Sequence, residues 1–287
     1  MQPYRYLLPE LDKSVYSRGI GIELPSPTAF MALPPSQALV RLAGQYVDAL
    51  CQRGERFTLI GYCLGGLLAA EMARQLSERG VGVQQLVVIS AWQPPRVDDA
   101  HLVEYMFSRS YGVCMEALRL PSESALAEVV HHVLRETPSH IPAGVFDRLP
   151  EAYQPVGDAL SQWAMKPLSE RLRVLQTSGD EQGAYLAPEG EVQAFAERHA
   201  LFHHYMAAVG EHQPAPWTGK IVLIRNSPSD PLLPGTPQDA TDYWQRLSLG
   251  DLTVVDTPGD HFSCITQQHA TSLANCIARH TRPEETL

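Results

Sequence analysis

Nowhere does the 287-residue sequence hold the ~20 consecutive apolar residues that a membrane-spanning helix needs. Its opening, "MQPYRYLLPELDKS", is broken by charges and lacks the apolar centre of a secretory signal. There is no CxxC pair. The five cysteines (Cys51, Cys63, Cys114, Cys264, Cys276) are odd in number and irregular in spacing, so neither a disulfide framework nor a zinc site is suggested, which fits a reducing cytoplasm. Positive charge is short as well: the formal net charge is −10, the wrong sign for non-specific binding to nucleic acid or acidic membranes. Repeats and low-complexity tracts are absent. What remains is 44% hydrophobic, enough for one large core or a core with an insertion.

The hydrophobic period alternates along the chain. "SVYSRGIGIEL" predicts a short strand and "PSPTAFMALPPS" a proline-rich loop. Leu39, Leu42, Tyr46 and Leu50 then fall on one helical face, with Gly54 as a stop. "RFTLIGY" predicts a buried strand, "LGGLLAAEMARQLSERG" a helix ending near Gly80, and "QQLVVIS" the next strand. The pattern resumes with "GKIVLIR" (219–225), a helix around "DATDYWQRL", the strand "LTVVD" (252–256) and a last helix over 266–278. Such alternation signals a parallel sheet with crossover helices. Between 98 and 215 the period is helical, with Val192, Phe195, His199, Phe202, Met206 and Val209 at intervals of three and four. The expected organisation is therefore an α/β core, 1–97 and 216–287, with a helical lid inserted over 98–215. A purely structural helical subdomain is the plainer alternative; insertions of this kind commonly cover reaction sites.

Residues 60–66 read "IGYCLGG". Glycines two positions either side of Cys63, with a strand before and a helix after, form the turn that lifts a nucleophile above a sheet. The helix start aims its N–H groups and positive dipole end at the same place, an arrangement expected to stabilise a thiolate. Leu64 N–H is the expected oxyanion donor. A small buried cysteine at a strand end is the plainer alternative. Among 11 histidines, His261 is distinguished by "TPGDHFSCI", a loop between the last strand and the last helix, where the base falls in the order nucleophile, acid, histidine. His131, His132, His203 and His204 lie in the insertion and read as solvated or structural. Asp230, in "LIRNSPSDPLLP", is the expected acid, although "SDP" is also good turn chemistry. Asp98 and Asp99 are alternatives, whereas Asp256 and Asp260 stand too close to His261 in sequence to orient it. Trp92 follows the strand "QQLVVIS" and is a candidate for lining a substrate pocket, with core or lid packing the plainer alternative. No metal or organic cofactor is implied.

The stretch from "LAGQYVDALCQRGERFTLIGYCLGGLLAAEMARQL" to "VVISAWQPP", together with "KIVLIRNSPSDP" and "TPGDHFSCI", resembles the releasing thioesterases of nonribosomal peptide and polyketide synthesis. That resemblance implies an α/β-hydrolase fold, a helical lid, and a triad that takes an acyl chain from the phosphopantetheine arm of a carrier protein. Carried over by position, Cys63 is the acyl-accepting nucleophile and His261 the base. Three departures matter. Ser90 in "VVISAW" stands where integrated members place their aspartate, which favours a later acid, Asp230, as in freestanding editing members. The family's first strand and "HPxGG" loop should precede "YRYLLPELDKSVY", where this sequence begins, so the second oxyanion donor is unassigned. Cysteine replaces the common serine, and the cysteine variants are associated with β-lactone or β-lactam release. Dienelactone hydrolase-like enzymes also carry "GYCLGG" with a Cys, Asp, His triad, and a non-catalytic acyl-binding module is a further alternative.

Overall fold

The computed structural model describes residues 2–11, 19–53, 56–179, 184, 186, 190–226, 232–236 and 240–281. The chain divides into two compact units, one gathering Met1–Gln93, His212–Ser229 and Asp239–Leu287, the other built from Pro94–Glu211 and a short later stretch.

The first unit is an α/β sandwich around four parallel strands, β1 (Phe57–Tyr62), β2 (Val83–Ile89), β3 (Ile221–Arg225) and β4 (Leu252–Asp256), in that spatial order. The register pairs Tyr62 with Ile89, Ile89 with Ile224 and Arg225 with Asp256. Because every pair is parallel, all four carboxyl ends emerge at one end of the sheet. The central strands are apolar on both faces, Leu86 to Ile89 and Leu223 to Ile224 being fully buried, as a sheet covered by helices on both sides requires. Helix α1 (Pro35–Cys51) buries Leu39, Leu42, Val47 and Leu50 and packs on α2 (Leu64–Glu78), the helix that follows β1.

Three expectations are corrected. Gly19 to Leu24 form no strand: Ile20 and Ile22 are exposed, so their alternation has no face to bury; the residues before Gly19 in that stretch fall outside the described ones. The last helix does not start at Thr266. The Asp260 carboxylate captures Phe262 N–H and Ser263 N–H, starting a 3₁₀ turn at Ser263–Ile265, and the α-helix proper runs Ala270–Thr281. Beside the helices expected over 98–215 there is a strand pair, Arg96–Val97 parallel to His140–Ile141, too short to leave a period in sequence.

The second unit contains helices α3 (Ala100–Ser110), α4 (Glu123–Glu136), α5 (Gln154–Ala164), α6 (Leu168–Ser178) and α7 (Val192–Glu211). Four of them meet at one buried carboxylate. Glu104 on α3 accepts from the indole Nε1 of Trp163 on α5 at 2.7 Å and from the Arg171 guanidinium of α6 at 2.8 and 2.9 Å, and His199 of α7 stands 3.6 Å away. Burial by itself would raise this carboxyl; the hydrogen bonds from His199, Arg171 and Trp163 outweigh it and hold Glu104 at about 2. Among the described residues no helix is long and apolar enough to cross a membrane, and no three His, Cys, Asp or Glu residues are grouped to hold a metal ion.

A depressed carboxylate contributes stability that is complete above its unfolded value of ~4.3 and is lost as pH falls through the folded value. Replacing Glu104 by Ala strands a buried guanidinium and indole. The expected cost is about 3–5 kcal/mol in urea-induced unfolding at pH 7, with a smaller difference from the parent below pH 3. A change under ~1 kcal/mol at pH 7 would show that the cluster does not hold the helices together.

Candidate active site

The turn between β1 and α2 is built by its glycines. A Cβ on Gly61 would stand 2.3 Å from the Gly65 carbonyl oxygen and 2.6 Å from Gly66 Cα, and a Cβ on Gly66 would stand 2.5 Å from Ala91 Cβ. No other residue fits at either place. Between them Cys63 adopts φ 53° and ψ −132°, a left-handed backbone that a non-glycine residue takes at a cost of ~1–3 kcal/mol. Two hydrogen bonds hold it there: Cys63 N–H to Ile89 O at 3.0 Å and Gly66 N–H to Cys63 O at 2.9 Å.

The stabilisation of a thiolate expected from the helix start is present but outweighed by burial. Burial pushes the Cys63 thiol up to about 12, against the opposing pull of the Leu64 N–H at the helix start. The sulfur is therefore a neutral thiol at rest and needs a base at the moment of attack. Leu64 N–H is aimed at the nucleophile, as the turn demands.

Ser90 ends the neighbouring strand in the same way. Its φ is 46°, its N–H donates to Ile224 O at 2.9 Å, and its buried Oγ lies 2.7 Å from Nδ1 of His261. His261 arrives from the loop after β4, where Gly259 at φ 92° turns tightly under it. The His261 carbonyl accepts from the Tyr62 hydroxyl and, at 3.5 Å, from the Cys264 thiol. Its ring stacks on Tyr62 (centroids 5.5 Å) and meets the edges of Phe262 (5.1 Å) and Trp92 (6.0 Å). Cys63 is the residue after Tyr62, so the imidazole is anchored to the nucleophile strand and to the strand beside it. A base at Nε2 needs its proton on Nδ1, and Ser90 Oγ is an acceptor placed for that proton.

Asp230 lies outside the described residues. The other acids weighed in sequence are committed elsewhere. Asp256 makes a fork with Arg225 at 2.9 and 3.1 Å, and Asp260 caps the 3₁₀ turn after His261. Asp98 pairs with Arg96 at 2.8 Å and His140 at 2.9 Å, while Asp99 caps α3 through His101 N–H and Leu102 N–H. Trp92 sits beside His261. Sequence reasoning missed Tyr62 and Cys264 as supports of the histidine backbone, for neither carries a motif; Ser90 was visible only as the residue replacing an expected aspartate.

The comparisons with known proteins fall on this same turn. Residues 2–106 match the thioesterase domain family. The chain is 30% identical over 274 residues to pyochelin synthetase PchF of Pseudomonas aeruginosa, a match covering 95% of this chain and 14% of the synthetase; the PchF of a second strain matches equally. It thus spans about a seventh of the length of those relatives. Among solved structures, the Vlm2 thioesterase domain aligns with a TM-score of 0.53 at 19% identity, covering 98% of this chain and 89% of that one. The four-domain nonribosomal peptide synthetase holo-AB3403 aligns with a TM-score of 0.64 at 18% identity, covering 98% of this chain and 18% of that one. At such identities the structural likeness shows the fold alone, that of the α/β-hydrolases.

Two outcomes follow from the geometry. Alkylation of Cys63 by iodoacetamide, followed by mass spectrometry, should keep accelerating up to pH 10, because the thiol titrates near 12; a plateau below pH 8 would show a thiolate at rest. Ser90→Ala should slow acylation by about 10-fold or more. Ser90→Asp should move the acidic limb of the acylation rate upward by about one pH unit or more, since a carboxylate at Nδ1 favours the imidazolium; an unmoved limb would remove Ser90 from any part in holding the base.

Proposed function

We infer that this chain is the releasing thioesterase of a nonribosomal peptide or related assembly line. It takes a peptidyl or acyl chain from the phosphopantetheine thiol of a carrier protein onto Cys63. The observation that carries this reading is the strained Cys63 at the head of α2 with an anchored, Ser90-bound His261 beside its strand. The thioesterase match over residues 2–106 and the kinship with a synthetase support the acyl-transfer class and the carrier-protein partner.

In this reading His261 Nε2 removes the thiol proton as sulfur attacks the thioester carbonyl. Leu64 N–H stabilises the oxyanion. The tetrahedral adduct collapses, the pantetheine sulfur leaves with the proton returned by His261, and an acyl-cysteine remains. An amine or hydroxyl of the same chain, or water, then loses its proton to His261 and attacks the acyl carbon, and Cys63 leaves as the thiol. Asp230 orients the imidazole and Trp92 lines the acyl pocket; the lid role of residues 98–215 belongs to the same proposal.

The cysteine favours ring closure. Transfer from one thiol to another is nearly isoenergetic, so the acyl group keeps the activation that a serine ester would lose. Release of a strained ring such as a β-lactam or β-lactone gains most from that. Intact-protein mass spectrometry with an acyl-pantetheine thioester tests the assignment. The parent should gain the acyl mass, Cys63→Ala should not, and Asp230→Asn should acylate about 100-fold more slowly or worse. The released product, ring or free acid, separates cyclisation from hydrolysis. A Cys63→Ala protein that acylates as fast as the parent would overturn the assignment.

A further inference from the structure

The carbonyl that Cys63 attacks needs more than one donor for its developing negative charge, and Leu64 N–H is a single one. The next group over the turn is a side chain. Tyr4, in a short 3₁₀ turn at Gln2–Tyr4, accepts the N–H of Tyr62 at 2.9 Å, and its Oη would stand 3.2 Å from a Cβ on Gly65. Tyr62 and Gly65 flank Cys63 and Leu64 in sequence, so a hydroxyl touching both positions straddles the nucleophile and the N–H beside it. Since the oxygen already accepts from Tyr62, its own hydrogen is left to donate to an acceptor that arrives at the turn.

We propose that the Tyr4 hydroxyl is a second oxyanion donor, acting together with Leu64 N–H on the acyl group attacked by Cys63. The inference rests on Cys63 being the nucleophile. Burial pushes the Tyr4 phenol up to about 12, with the nearby Cys63 adding to that rise, so the donor keeps its proton throughout the working pH range. Gly65 gains a second role, because a side chain there would crowd the hydroxyl.

The test compares two reactions of the same sulfur. Acylation by an acyl-pantetheine thioester builds an oxyanion; alkylation by iodoacetamide does not. Tyr4→Phe should slow acylation by about 100-fold and leave both the rate of Cys63 alkylation and its pH profile unchanged. Acylation at the parent rate would overturn the proposal, and so would a parallel fall in both reactions, which would mark Tyr4 as a brace for the turn only. Should the Phe variant misfold, 3,5-difluorotyrosine at position 4 retains the hydroxyl with a more acidic proton. Acylation should then decline at alkaline pH, as the phenol ionises and can no longer donate, while alkylation continues to rise; no separation of the two profiles counts against the donor. A parent protein in which Cys63 takes the alkyl group but never an acyl group would defeat the thioesterase reading itself, and the donor with it.

Discussion

Everything chemical in this chain depends on the reversal at Cys63, where a strand becomes a helix within one residue. The reversal exists because Gly61 and Gly66 have no Cβ: the strand end and the first helical turn lie in van der Waals contact of backbone on backbone. The left-handed φ of 53° is held by bonds to Ile89 and Gly66, the first of which exists because β1 and β2 run in register. The adjacent strand repeats the device at Ser90, with φ 46° and a bond to Ile224. Two neighbouring strands therefore turn outward side by side, and the histidine of a third segment is bound to both.

This architecture sets two forces against each other at the sulfur. A helix start and an N–H group favour negative charge, yet burial in the same turn disfavours it and prevails. The balance separates this site from cysteine centres that hold a ready thiolate. A neutral thiol in such a turn needs a base to take its proton before or during any attack. Tyr62 serves both sides of that chemistry: its N–H is taken by Tyr4, while its hydroxyl and ring fix the base.

The sheet was legible because its strands are short apolar runs bounded by glycine and polar residues, and buried central strands require such runs. "LTVVD" marks its strand to the residue, and "GKIVLIR" marks its own with the start two residues early. "SVYSRGIGIEL" misled for the converse reason: over Gly19 to Leu24, alternation without a covering layer makes no strand. The glycine spacing and the loop position singled out Cys63 and His261, and the structure sets the His261 ring against Tyr62, the residue before Cys63. The thiol's neutrality could not be read this way, because desolvation is a property of everything packed around the sulfur. Nor could the Glu104 cluster, whose partners stand 59 and 67 positions away in the chain and meet only after four helices have packed.

The backbone at position 63 also limits which nucleophiles this turn can carry. With φ 53°, a second heavy substituent on Cβ would be driven against the chain. Threonine is therefore shut out, although its hydroxyl is chemically equivalent to that of serine. Serine and cysteine, each with a single heavy atom beyond Cβ, fit the same bend. An exchange between those two replaces sulfur by oxygen at the head of the helix and asks nothing new of the backbone.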